Sequence, residues 1–244
     1  MTESWLERWR EGRIGWHEEG GNASLRKHWR AEGRRVLVPM CGKTVDMLWL
    51  EQQGNTVVGV ELSDIAARAF FEENDLGYTI REGRLPAYVA EERNITIYCG
   101  DLFDFDEPGH TGWYDRGAFV ATPAEQRPAY AKHIDALLAP DAYRLLITLE
   151  YDADIATGPP FSISGQEIRR YWPELQETFE RYRTEMELEF AIGQSFHTAS
   201  DHYPLLLSGV TTGGIEPVRT TRSGRGYGHT WYDTVDKVNQ VNLR

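Results

Sequence analysis

Cysteine is scarce in this chain: Cys41 and Cys99 are the only two among 244 residues. Two thiols cannot build a disulfide framework, and a reduced, cytoplasmic protein is the default expectation for such usage. Long apolar runs are lacking as well; none approaches the roughly 20 residues that a membrane span needs. The opening stretch, MTESWLERWREGRIGWHE, carries charge throughout and has no apolar centre of the kind a secretory signal requires. No long run of positive charge is present, and the formal net charge is −12, from 26 lysines and arginines against 38 aspartates and glutamates. A field of that sign repels phosphate backbones, which argues against nucleic acid as a partner. The histidines, His197 and His202 among them, show no metal-ligand spacing, and no serine occupies a nucleophile elbow. No internal repeat or low-complexity tract is present.

What the chain does have is alternation of strand and helix signals. An apolar share of 41% and a length of 244 residues suit one soluble domain with a sizeable core. Trp5, Leu6 and Trp9 can share one face of a helix over residues 4–10, and Asn22 is a plausible N-cap for a second helix running to Trp29. RRVLVPM reads as a buried strand, followed by a turn at Cys41-Gly42-Lys43 and a helix over residues 44–53 with Met47, Leu48 and Leu50 inward. The second buried strand covers residues 56–62, and Ser63 caps a helix to about Asn74 whose apolar side is Ile65, Ala66, Ala69 and Phe70. Further strands are expected over 94–99, 113–121 and 143–151, with a helix over 124–138 between the last two. Then follow the Pro-stiffened loop GPPFSI and a helix over 166–172. Later strands are expected over 186–192 and 202–210, with a Gly/Thr/Arg/Ser-rich loop from Thr211 on. Strands alternating with helices predict an α/β fold with a mostly parallel sheet, whose ligand lies outside the carboxyl ends of the strands.

The residues at those strand ends are the candidates for chemistry. The turn after the first strand, VPMCGKT, brings backbone N–H groups of a helix start toward a ligand through Gly42. Its single glycine excludes the G-x-G-x-x-G dinucleotide fingerprint and the P-loop, and leaves open an ordinary turn with Lys43 on the surface. Glu61 ends the second strand about 20 residues later, where a carboxylate can accept two ribose hydroxyls. Cys99-Gly100-Asp101-Leu102-Phe103 ends the third strand; Asp101 can accept from an exocyclic amine while Leu102 and Phe103 flank a base, or Asp101 is a turn residue and Phe103 is core. Arg116, in the Asp115-Arg116 pair, is costly to bury unless it holds a ligand carboxylate or pairs internally with Asp115 or a neighbouring acid. The N-terminal tryptophans Trp5, Trp9, Trp16 and Trp29 are either core or a box whose faces attract a sulfonium cation, and His17 is a candidate general base or a structural histidine.

Taken together, RWREGRIGWHE, NASLRKHW, VLVPMCGKTVDMLWL, VVGVELS, ITIYCGDLF, YDRGAFVATP and LLITLEYD with GPPFSI, in that order over residues 5–163, resemble the thiopurine S-methyltransferase family, bacterial type. The resemblance implies a Rossmann-like class I methyltransferase fold with an N-terminal helical lid and S-adenosyl-L-methionine as cofactor. It implies one domain over residues 1–244: lid helices at 1–34, the Rossmann-like core at 35–163 and a divergent part at 164–244. It assigns Trp9, Met40, Glu61 and Arg116 to the cofactor site, with Glu61 on the ribose and Asp101 and Leu102 near the adenine. Arg116 would hold the carboxylate of the cofactor's methionine part or an acidic substrate, and Trp16 would belong to the lid or the substrate wall. Met40 stands where the family's VPLCGK has leucine, a volume-conserving change. From about Thr184 the chain departs from the family pattern; Arg219 and Arg222 are candidates there for a late substrate-binding arginine.

The implied reaction is a direct in-line methyl transfer to a small thiol, needing no metal and no covalent intermediate, with positioning supplying most of the acceleration. The thiol reacts as its thiolate, which Arg116 would favour while His17 or water takes the proton. Three alternatives stay open: a halide, thiocyanate or metalloid anion as acceptor on the same fold; a non-catalytic S-adenosylmethionine-binding protein; and an NAD-dependent dehydrogenase without the glycine fingerprint. A monomer acting in the cytoplasm completes the expectation.

Overall fold

The computed structural model describes residues 2–151 and 156–175. The strands expected over 186–192 and 202–210, the loop from Thr211, His197, His202, Arg219 and Arg222 lie outside the described residues. In chain order the elements are α1 (Thr2–Arg10), α2 (Ala23–His28), β1 (Arg35–Pro39), α3 (Asp46–Gln52), β2 (Thr56–Glu61), α4 (Asp64–Glu73) and the strands β3 (Tyr78–Arg81), β4 (Ala87–Ala90) and β5 (Ile95–Cys99). A 3-10 turn at Leu102–Asp104 leads to β6 (His110–Asp115), α5 (Ala118–Ala121), α6 (Arg127–Leu137), β7 (Leu138–Leu146) and α7 (Gly165–Tyr171).

Local sequence accounts for most of these. The Asn22 side chain accepts from the Leu25 N–H at 3.1 Å and the Ser63 hydroxyl from the Ala66 N–H at 3.3 Å, so both expected caps close their helices. β1 and β2 are buried along nearly their whole length, as strands covered on both faces must be. The seven strands form one sheet in the order β3-β4-β5-β2-β1-β6-β7. β5, β2, β1, β6 and β7 are parallel, and the β3–β4 hairpin extends the sheet antiparallel beyond β5. Alternation along the strands divides the core in two. Val36, Val38, Val57 and Ile97 face Leu25, Met47, Leu50, Phe70 and Phe71 of α2, α3 and α4. Leu37, Val58, Tyr98 and Trp113 face Phe119, Tyr130, Ile134 and Trp172 on the opposite side. Helices thus cover both faces, as the alternation implied.

Four expectations are corrected. The strand expected over 113–121 stops at Asp115, and Ala118–Ala121 is helical, because the Asp115 carboxylate accepts from the N–H groups of Ala118 (2.9 Å) and Phe119 (3.2 Å) and so starts a helix. The strand expected over 143–151 is β7, Leu138–Leu146, since β6 offers partners only as far as Asp115, level with Leu146. Beyond it the Leu149 carbonyl accepts from the Ile163 N–H at 2.7 Å instead. On α4 the buried face is Ala66, Ala67, Phe70 and Phe71, while Ile65 is 46% exposed. The helix turns that way because Phe71 packs on Tyr78 of β3 at 4.8 Å between ring centroids. Finally, the hairpin itself fills a stretch, between Asn74 and Asn94, where the sequence showed no strand; each arm is only four residues long and β3 is largely exposed.

Gly59 of β2 lets α3 approach the sheet: a Cβ there would lie 2.7 Å from the Cys41 Sγ and 3.0 Å from the Met47 Sδ. Gly59→Ala is expected to lower stability by about 1–3 kcal/mol through overpacking, measured by urea unfolding. Unchanged stability would mean that α3 retreats without cost.

Candidate functional site

In sheet order β1 lies between β2 and β6, so the chain winds outward through β2 and β5 and then crosses back to β6. The crevice between the carboxyl ends of β1 and β6 is the switch point at which such sheets bind ligands. Register brings the tips level: Pro39 pairs with Val60, and Glu61 with Cys99. Met40 and Gly42, just past β1, both have left-handed backbone, at φ 45° and 55°. That conformation is ordinary for glycine and uncommon for methionine.

From these tips a continuous set of contacts joins five of the residues singled out in the sequence. The Glu61 carboxylate, 6% exposed as a residue, accepts from the Gly42 N–H at 2.8 Å through one oxygen and from the Ser63 N–H at 2.8 Å through the other. Burial pushes its carboxyl up, and the backbone N–H groups of Ser63, Gly42 and Leu62 pull it back down. A Cβ on Gly42 would meet the Trp9 ring at 3.2 Å, so the indole lies directly over the turn. Trp9 and Trp5 both pack edge-on against Trp16, with centroids 5.8 and 5.1 Å apart. The Trp16 carbonyl accepts from the Arg116 Nη2 at 3.0 Å. Trp29, by contrast, is core: its indole donates to the Ala31 carbonyl and its ring packs on Tyr143.

Arg116 does not pair with Asp115. Its Nη2 donates to the Glu18 Oε1 at 2.5 Å, with both side chains largely buried. Asp115 is instead committed to α5 and to the Tyr130 hydroxyl, which donates to it at 2.5 Å. Lys43 is no solvated surface residue: its ammonium pairs with Glu73 at 2.6 Å and its side chain is 12% exposed. His17 is half-buried, and its imidazole is held below the ordinary value by burial first, then by Lys43 and Arg116, against the opposing pull of Glu73 and Glu19. Asp101 caps the 3-10 turn by accepting from the Phe103 N–H at 2.9 Å and remains exposed. Leu102 is 4% exposed within the core, while Phe103, at 43% exposure, is not a core residue. The Gly100 N–H donates to the Glu61 carbonyl at 2.8 Å, which ties the end of β5 to that of β2.

Two acids of the site had not been singled out. Glu18 is one, and Asp46 is the other: 2% exposed, it accepts from the Asn22 N–H at 2.6 Å and from the Tyr114 hydroxyl at 2.7 Å. The only sequence signal for Asp46 was an acid at a helix start, which is common on any helix. Among the described residues no group of three or more His, Cys, Asp or Glu side chains is placed to hold a metal ion, and no helix is long and apolar enough to cross a membrane.

A mostly parallel sheet covered by helices, with its crevice between β1 and β6, is the fold of the class I S-adenosylmethionine-dependent methyltransferases. Among solved structures the chain is similar to a Burkholderia thailandensis 1,6-didemethyltoxoflavin-N1-methyltransferase, crystallised with 1,6-didemethyltoxoflavin and S-adenosylhomocysteine. The TM-score is 0.50 and the identity 17%, over 70% of this chain and 74% of that one. An S-adenosylmethionine-dependent methyltransferase from Anabaena variabilis gives a TM-score of 0.51 at 15% identity, over 71% and 80% of the two chains. Within that class, residues 1–195 match the thiopurine S-methyltransferase family model, and the chain belongs to this family. It is 49% identical over 176 residues to the thiopurine S-methyltransferase of Bordetella petrii, covering 69% of this chain and 80% of that protein. It is 41% identical over 177 residues to that of Pseudomonas syringae pv. syringae, with coverages of 69% and 80%.

Proposed function

We propose that this protein is an S-methyltransferase that takes its methyl group from S-adenosylmethionine and passes it to a small thiol such as a thiopurine. The observation that carries this reading is the unbroken run of contacts from Glu61 through Gly42, Trp9 and Trp16 to Arg116, all around the β1–β6 crevice. The residues present fit such a cofactor. A Cβ on Gly42 would crowd the Trp9 ring, so the turn presents bare backbone, and Glu61 retains acceptor directions beyond those its amide partners use. When bound, S-adenosylmethionine supplies a methyl group already carried on a sulfonium.

Everything else falls to the protein's own side chains. Glu61 accepts the ribose hydroxyls, Gly42 gives the backbone its close approach, and Asp101 and Leu102 border the adenine. Trp9 and Met40 complete the cofactor side. Trp16 walls the acceptor side and keeps water out, and aromatic faces here suit a cation. Arg116 holds a carboxylate or the acceptor thiolate. His17, biased toward its neutral form by burial and its cationic neighbours, or water takes the proton of the thiol. Residues 1–34 act as a lid on a core of 35–163, and 164–244 are a divergent part of the same single domain. We further propose that the enzyme works as a monomer in the cytoplasm on small molecules; its net charge of −12 disfavours nucleic acid.

Two measurements test this. Calorimetric titration should show binding of S-adenosylhomocysteine and none of NAD. A panel of acceptors with mass detection should show methylated thiols; methylation of halide, thiocyanate or metalloid anions alone would reassign the acceptor. Cofactor binding with no methylated product from any acceptor would make the protein a binding protein.

A further inference from the structure

The Glu18 carboxylate stands at the centre of a small network that the proposed reaction does not itself call for. Glu18 Oε1 accepts from the Arg116 Nη2 at 2.5 Å, and its oxygens lie 3.3–3.4 Å from the Asn22 amide nitrogen. Asn22 in turn gives its backbone N–H to Asp46, which also takes the Tyr114 hydroxyl. The network therefore runs from the end of β6 through the stretch between α1 and α2 to the start of α3. It carries Trp16 with it, because the Arg116 nitrogen that binds Glu18 also binds the Trp16 carbonyl. The side chains of Arg116 and Glu18 are only 12% and 14% exposed, so an uncompensated charge on either would be poorly solvated.

We propose that Glu18 is a positioning residue: it fixes the Arg116 guanidinium over the β1–β6 crevice and, through the same nitrogen, holds Trp16 in the wall. The inference rests on the proposed cofactor site and adds to it an acid that touches neither cofactor nor acceptor. Glu18 supplies the counter-charge that lets Arg116 stay buried and oriented. A neutral amide at position 18 keeps an acceptor oxygen for the guanidinium; alanine removes it.

The experiment is a double-mutant cycle on binding of S-adenosylhomocysteine, followed by calorimetry for the wild type, Glu18→Ala, Arg116→Ala and the double variant. Glu18→Ala is expected to weaken binding about tenfold in the wild-type background and by less than about twofold once Arg116 is already alanine. Glu18→Gln, which keeps an acceptor oxygen but not the charge, is expected to recover part of the loss. A second readout, made on the cofactor-free protein, is the indole N–H resonance of Trp16, identified by its loss in Trp16→Phe; it is expected to shift in Glu18→Ala and to return toward its original place in Glu18→Gln. An equal loss in both backgrounds, or an unmoved Trp16 resonance in a folded Glu18→Ala protein, overturns the proposal. Failure of the wild type to bind S-adenosylhomocysteine would overturn the cofactor site instead, while the resonance shift would still judge the Glu18–Arg116–Trp16 linkage by itself.

Discussion

Glutamine in place of Glu61 is expected to weaken S-adenosylhomocysteine binding by about a hundredfold, since charge-assisted hydrogen bonds contribute roughly 1.5–3 kcal/mol each and two would be weakened. The same substitution is expected to lower stability by about 2 kcal/mol. The reason is visible in the partners. Each carboxylate oxygen accepts one backbone N–H, from Gly42 and from Ser63, at 2.8 Å. An amide at this position must turn its NH2 group toward one of those donors and leave that N–H without an acceptor in a buried place. Calorimetry gives the affinity and a thermal melt gives the stability. A folded Glu61→Gln protein with wild-type affinity would remove Glu61 from the cofactor site, and with it the contact that anchors the whole arrangement at β2.

The second large effect concerns pH. His110 at the start of β6 is completely buried against Phe105, and neither ring nitrogen has a hydrogen-bond partner among the described residues. Burial, helped by Arg35, lowers its pKa from 6.5 to about 4; the Glu107 backbone pulls the other way without reaching hydrogen-bonding geometry. The folded protein thus resists protonating a group that the unfolded chain protonates readily. The stability His110 brings is present above pH 6.5 and is lost as the pH falls toward 4, by about 3 kcal/mol in all.

At the other end of the same strand, Asp115 shifts in the opposite sense. Burial raises its pKa from 3.8 to about 6, against the hydrogen bonds from Tyr130 and the amides of Phe119, Ala118 and Gly117. Its contribution is present below pH 3.8 and is lost as the pH rises through 6, again by about 3 kcal/mol. Between pH 4 and 6 the two groups nearly cancel. His110→Leu is therefore expected to gain about 3 kcal/mol relative to the wild type as the pH is lowered from 7 to 4, and Asp115→Asn to lose a similar amount over the same range. Urea unfolding of each variant beside the wild type at several pH values isolates these differences from every other titration. Parallel curves for His110→Leu and the wild type would show that the buried imidazole titrates normally.

Legibility in the sequence followed the range of the interaction. The buried strands β1, β2 and β5, the caps at Asn22 and Ser63 and the glycine turn at Gly42 depend on neighbours within a few residues, and each appears where the pattern put it. Glu61 was legible because strand-end position and spacing from Gly42 are both local facts. The phase of α4 was not, because Phe71 is turned inward by the β3–β4 hairpin, whose short arms carry little pattern of their own. Nor was the end of β6, where one carboxylate, Asp115, decides between a strand and a helix by accepting the backbone N–H groups that follow it.

The sequence by itself determined the alternating α/β order, the single-glycine turn and the carboxylate at the tip of β2, since these are written in periods of two to four residues and in one spacing of about 20. Only the tertiary structure decided which acid Arg116 meets. Its sequence neighbour Asp115 is spent on a helix start, and its partner is Glu18, 98 residues away. A buried guanidinium is neutralised by whichever carboxylate the packed chain brings within reach, and no local rule specifies that choice.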